Sequence, residues 1–101
     1  MASSILIVED DLVFSTMMKT WLTKKGFEVD TASTNARARK LLAEHRYDLI
    51  LSDLRLPDQD GIHLLAWLRN RSCHTPLIIM TSYAETVSYT HLRAHETSAH
   101  L

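Results

Sequence analysis

Apolar and amphipathic segments alternate along this chain with a regularity that few architectures accommodate. Short runs at 4–8 (SILIV), 27–32 (FEVDTA), 48–52 (DLILS) and 76–81 (PLIIMT) are separated by longer stretches with helical spacing. The first, third and fourth are nearly continuous hydrophobics, the pattern of strands covered on both faces. The second alternates, with Phe27, Val29 and Thr31 on one side, as an edge strand does. Leu12 to Lys25 sets Phe14, Met17, Met18, Trp21 and Leu22 on one stripe and stops at Gly26. Thr34 to His45 carries Ala38, Leu41 and Leu42 opposite Arg37, Arg39 and Lys40. Ile62 to Asn70 carries Ile62, Leu65 and Leu68 after the turn Pro57–Gly61. The order βαβαβαβ with short links predicts an α/β fold, a doubly wound parallel sheet with helices on both faces.

Composition narrows the function. A chain of 101 residues has room for one domain. Eleven Lys+Arg against twelve Asp+Glu give a net charge of −1, so no basic excess exists to neutralise a nucleic-acid backbone and no direct nucleic-acid binding is expected. The apolar runs fall far short of the roughly 20 residues a membrane helix needs. The start, Met-Ala-Ser-Ser, has neither a basic region nor a long apolar one, so no export signal is read there. Cys73 is the single cysteine and cannot form an internal disulfide, which fits a reducing compartment. A cytoplasmic protein without membrane attachment is the expectation.

In a doubly wound sheet, ligands gather outside the carboxyl ends of the strands. Those ends here are Glu9-Asp10-Asp11, Asp53 and Thr81-Ser82. Carboxylates ~4 Å apart repel by roughly 4 kcal/mol per pair at an effective dielectric near 20, so such a cluster stays ionised only around a cation. Hard oxygen ligands select Mg²⁺ or Ca²⁺, and few protein ligands with open water positions suit Mg²⁺. Asp11, Asp58 and Asp60 read as capping or turn residues, Trp21 and Trp67 as packing or surface residues, and Cys73 as a loop cysteine.

The residues ILIVEDD at 5–11, DLILSDLRLPDQDG at 48–61 and PLIIMTSYAE at 76–85 resemble, in order and spacing, the receiver domain of two-component response regulators. The run DLRLPDQDG is most similar to receivers of NtrC-like regulators, which continue into an ATPase and a DNA-binding module. The resemblance implies a flavodoxin-like fold and a signalling domain rather than an enzyme. It makes Asp53 the phosphoacceptor, taking a phosphoryl group from a sensor histidine kinase. Glu9 and Asp10 match the acidic pair that holds Mg²⁺ together with Asp53, with the backbone carbonyl of Arg55 as a further ligand. Thr81 matches the switch hydroxyl and Ser82 the small neighbour that lines donor access.

Two alternatives stand beside this reading. One is a receiver-like docking module that works without phosphorylation. The other is a Mg²⁺-dependent aspartyl-phosphate phosphatase of the haloacid dehalogenase type. That family places a second Asp two residues after its nucleophile, where this chain has Arg55 after Asp53 and Leu12 after Asp10.

The likeness stops near residue 85. Receivers carry a fifth strand with a lysine that pairs with the phosphoryl group, and then a fifth helix; here no lysine follows Lys40 and no fifth apolar run appears. His91 and His95 stand at i, i+4, but residues 87–97 also read as the translation of an adapter used in transposase-based sequencing libraries. Residues 1–86 are therefore expected to be a truncated receiver, with four βα units and the fifth strand and helix missing. Residues 87–101 are expected to be a non-native tail, and the output domain to be absent.

Overall fold

The computed structural model describes residues 2–80. The expectations placed on Thr81, Ser82 and the 87–101 tail lie outside the described residues. Strand β1 (Ser4–Val8) leads into helix α1 (Leu12–Lys24), then β2 (Glu28–Ala32), α2 (Asn35–Glu44), β3 (Leu49–Asp53), α3 (Gly61–Asn70) and β4 (Leu77–Met80). Among the described residues the strands form one parallel sheet in the order β2-β1-β3-β4. The chain therefore steps outward from β1 to β2, then crosses back past β1 to β3. That reversal opens a crevice at the carboxyl ends of β1 and β3.

Local chemistry sets the element ends. The Asp11 carboxylate accepts from the Phe14 amide at 3.1 Å, and the Thr34 hydroxyl accepts from the Arg37 amide at 3.1 Å, each satisfying an otherwise orphaned first-turn donor. Asp60 occupies the N-cap position of α3 but makes no side-chain capping bond. Helix α1 ends where Gly26 turns to φ 99°, a conformation open to glycine at little cost.

Successive residues of β1 point to opposite faces, and both faces are covered. Leu6 and Val8 join Ile50, Ala38, Leu64, Leu65 and Leu68 in the core beneath α2 and α3. Ile5 and Ile7 join Val29 and Leu22, with Met18, Leu49 and Leu51 against them, beneath α1. Burial on both sides explains why residues 5–8 of β1 and 49–51 of β3 are continuously apolar rather than alternating.

Two expectations need correction. The α1 stripe is not buried as a unit: Ser15 and Leu22 are buried and Met18 is half-buried, whereas Met17 and Trp21 are 61% and 59% exposed. Positions 15, 18 and 22 repeat at i, i+3, i+7 and face the sheet, which turns 17 and 21 away from it. In β2, Val29 is buried but Thr31 is exposed, and Ala32 is buried instead. As the edge strand, β2 is covered only where α1 and α2 cross it. Smaller shifts affect the ends: β3 begins at Leu49 and includes Asp53. Asp48 instead closes the pair with β1, its amide donating to the Ser4 carbonyl and its carboxylate accepting from the Ser4 amide.

Candidate metal and phosphoacceptor site

Glu9 and Asp10 follow the last residue of β1, and Asp53 is the last residue of the adjacent β3. Because these strands are neighbours in register, with Val8 paired to Ser52, their carboxyl ends deliver the acids to one place. One carboxylate oxygen from each of Glu9, Asp10 and Asp53 lies within 4.8 Å of the others. Glu9 is buried, Asp53 half-buried and Asp10 exposed, so the cluster opens to solvent on one side.

The electrostatics match that crowding. Burial, a side-chain hydrogen bond shared with Asp53 and the negative charges beside it raise the Glu9 carboxyl from 4.5 to about 7, even though the Asp11 amide donates to it. Like charges this close favour protonation of one partner or entry of a cation. The donor set is three hard oxygens, and two oxygens on opposite sides of an ion bound at ~2.1 Å stand about 4 Å apart, so the cluster fits a small divalent cation such as Mg²⁺. Among the described residues this is the one cluster of potential metal-ligating side chains.

Behind the acids, backbone packing fixes Asp53. The buried Ser52 hydroxyl donates to the Asp53 carbonyl at 2.9 Å. The Gly61 amide donates to the Leu54 carbonyl at 2.8 Å, folding the loop after β3 back on itself. A Cβ on Gly61 would stand 2.6 Å from the Asp53 carbonyl oxygen and 2.9 Å from the Ser52 hydroxyl. A backbone carbonyl cannot swing aside as a side-chain tip can, so Gly61→Ala must push α3 away from the end of β3. Such overpacking costs ~2 kcal/mol, and Gly61→Ala is expected to melt about 8–16 °C lower, as thermal unfolding by circular dichroism will measure.

Of the residues singled out in the sequence, the structure brings Glu9, Asp10 and Asp53 together and sets Arg55 in the loop after Asp53. Thr81 and Ser82 lie outside the described residues. Sequence reasoning did not foresee Asn35 or the contacts of Asp58. Asn35 is 1% exposed, and its amide donates to the Asp58 carboxylate from 23 residues away, a pairing with no periodic trace in the sequence. Neither did it foresee Tyr47, buried on the core with its hydroxyl donating to Asp30 at 2.6 Å.

The chain matches the family model described as the response regulator receiver domain over residues 5–100. It is 40% identical over 81 residues to the regulatory protein AtoC of Escherichia coli, covering 80% of this chain and 18% of that one. It is 38% identical over 85 residues to the transcriptional regulatory protein SrrA of Staphylococcus aureus, covering 84% of this chain and 35% of that one. The chain thus spans about a fifth to a third of these curated relatives. Among solved structures, the Francisella response regulator 1452 receiver domain superposes with a TM-score of 0.87 at 27% identity, covering 97% of this chain and 83% of that one. The response regulator TrrA of Thermotoga maritima, in complex with Mg(2+)-BeF, superposes with a TM-score of 0.84 at 25% identity, covering 98% and 84%. Neither the docking-only nor the phosphatase alternative draws support from these likenesses. The parallel sheet with its crossover between β1 and β3, the acids at those strand ends and the extent of the match make this chain a member of the response regulator receiver family, a phosphoacceptor signalling domain.

Proposed function

We propose that Asp53 accepts the phosphoryl group, with Glu9, Asp10, Asp53 and the Arg55 carbonyl holding Mg²⁺. The observation that carries this reading is the convergence of three carboxylates from two neighbouring strand ends on one solvent-open point. Bound there, Mg²⁺ offsets the charge of both carboxylate and donor. The chain's own residues do the rest. Asp53 Oδ attacks the donor phosphorus, an O–P bond forms, and the bond to the donor breaks with the electron pair leaving on it. The acyl phosphate carries about two negative charges. In this reading Thr81 supplies the switch hydroxyl and Ser82 the small residue that lines donor access. Each chain takes up one phosphoryl group, so it acts as a switch and not as an enzyme.

The physiological donor in this reading is a sensor histidine kinase in the cytoplasm. The output is a regulatory module beyond the matched region, of the ATPase and DNA-binding kind. Two relatives are named as regulatory proteins, and the match covers only a part of each, which supports an output outside this segment. Among the described residues no helix is long and apolar enough to cross a membrane.

Acetyl phosphate tests the chemistry without a kinase. With Mg²⁺, intact-mass analysis is expected to find one added phosphoryl group that hydroxylamine removes and a chelator prevents. Sustained phosphoester turnover with no adduct, or no adduct at all, would overturn the proposal.

A further inference from the structure

Part of the grip on the loop between Asp53 and α3 comes from outside it, from α2, a helix that supplies none of the clustered acids. The Asp58 carboxylate accepts from the Asn35 amide at 2.8 Å and from the Ala36 amide at 2.9 Å. These are first-turn donors that the helix itself leaves unsatisfied. The same carboxylate accepts from the Gln59 amide at 3.0 Å. Next in the loop, the Gln59 side chain accepts from Arg39 at 2.7 Å, and Arg39 also donates to the Asn35 side chain at 2.6 Å. The Asn35 side-chain amide in turn donates to the Asp60 carbonyl at 3.4 Å. Loop residues 58, 59 and 60 are thus each tied to α2. Desolvation pushes the Asp58 carboxyl up, but the amides of Ala36, Asn35 and Gln59 outweigh it and hold the group below its usual value.

What this clamp fixes is the geometry upstream. Residues 54–60 run from the end of β3 to α3, and Arg55 is among them. The loop closes through the Gly61 amide on the Leu54 carbonyl, with Gly61 packed on the Asp53 carbonyl. The Leu54 amide also donates to the Met80 carbonyl at 3.1 Å and Leu56 is buried in the core, so sheet and core hold the first half of the loop and α2 holds residues 58–60.

We propose that Asp58 is a positioning residue for phosphoryl acceptance: by bridging to the amides of Asn35 and Ala36 it holds the loop after Asp53, and with it the Arg55 carbonyl, in the place that binding the divalent ion requires. It touches neither ion nor phosphoryl group. This inference rests on the proposed function above. Groups that orient metal ligands from behind typically change metal affinity by roughly 10–100-fold when removed.

The test compares the wild-type chain with Asp58→Ala and Asp58→Asn. Calorimetric titration with Mg²⁺ reads the dissociation constant, and backbone amide exchange reads the Gly61 amide. Asp58→Ala is expected to raise the Mg²⁺ dissociation constant about tenfold and to speed Gly61 exchange by a similar factor. Asp58→Asn keeps a carbonyl oxygen for only one of the two α2 amides and is expected to fall between, raising the Mg²⁺ dissociation constant about threefold. Should Asp58→Ala fail to fold, the Asp58→Asn arm still decides. An unchanged Mg²⁺ constant in a variant that merely melts earlier overturns the positioning role. Failure of the underlying reading looks different: the wild-type chain itself then neither binds Mg²⁺ nor takes phosphate from acetyl phosphate.

Discussion

Replacing Asp53 with Asn is expected to abolish the phosphoryl adduct while leaving the fold intact. The substitution is nearly isosteric, and the half-buried side chain stands in a cluster that opens to solvent on the side of the exposed Asp10. What changes is the nucleophile. A carboxylate oxygen carries a full charge shared over two atoms, whereas an amide oxygen carries none and is a poor attacker of phosphorus. Removing a nucleophile outright typically costs a factor of about 10⁴ or more, so the Asp53→Asn adduct falls below detection by mass analysis with acetyl phosphate. Circular dichroism checks that the secondary structure persists. An adduct that survives and maps to Glu9 or Asp10 would show that the wrong acid had been assigned, since all three lie within the same 4.8 Å cluster.

How much of this was legible beforehand depends on whether the information was local. The β1 run and the β3 run were readable because strands covered on both faces favour continuous apolar residues, and Leu6, Val8 and Ile50 are indeed fully buried; Ser52, polar and equally buried, donates its hydroxyl to the Asp53 carbonyl. Placing the acids at one edge followed from the parallel order alone, which puts every strand's carboxyl end on the same side. The buried face of α1 was not readable, because Leu12 and Val13 spread the apolar residues well beyond the stripe of Phe14, Met17, Met18, Trp21 and Leu22 and leave periodicity no single choice. The choice fell to the sheet, which took the small buried Ser15 together with Met18 and Leu22. Nor could the sequence show that Asp58 reaches across to α2, since a turn aspartate satisfied by its own loop has the same local pattern. Trp67 was legible only as a packing or surface residue; the structure adds that Arg39 and Arg71 lie over its ring at 5.3 and 4.6 Å. The Arg39 pair comes from α2 and α3 meeting in space, which no spacing rule along one helix encodes, whereas Arg71 stands four residues after Trp67 at the end of the same helix.

Glu9→Gln is expected to make the metal-free protein more stable at pH 8 and, in the same stroke, to cripple its response to Mg²⁺. The folded-state carboxyl lies at about 7 against an ordinary 4.5, so the native protein binds the proton more tightly than the unfolded chain does. The contribution of Glu9 to stability is therefore fully present below about 4.5 and is lost as pH rises through 7. Unfolding free energy should fall across that window in the absence of divalent ions. The full shift corresponds to ~3 kcal/mol, and solvent at the open side of the cluster reduces the expected loss to ~1–2 kcal/mol. Gln carries no charge at any pH, so the variant escapes the penalty and should melt about 4–16 °C above wild type at pH 8 with chelator present. Mg²⁺ reverses the order. An ion that binds only the native state stabilises by RT ln(1 + [Mg²⁺]/Kd), and a site that has traded a carboxylate for an amide binds roughly 10–100-fold more weakly. Millimolar Mg²⁺ should thus raise the wild-type melting temperature at pH 8 far more than that of the variant. The repulsion that costs stability in the empty cluster is the same charge density that draws in the cation, so the two effects must change together. A Glu9→Gln protein that is less stable than wild type at pH 8 without metal would break that link.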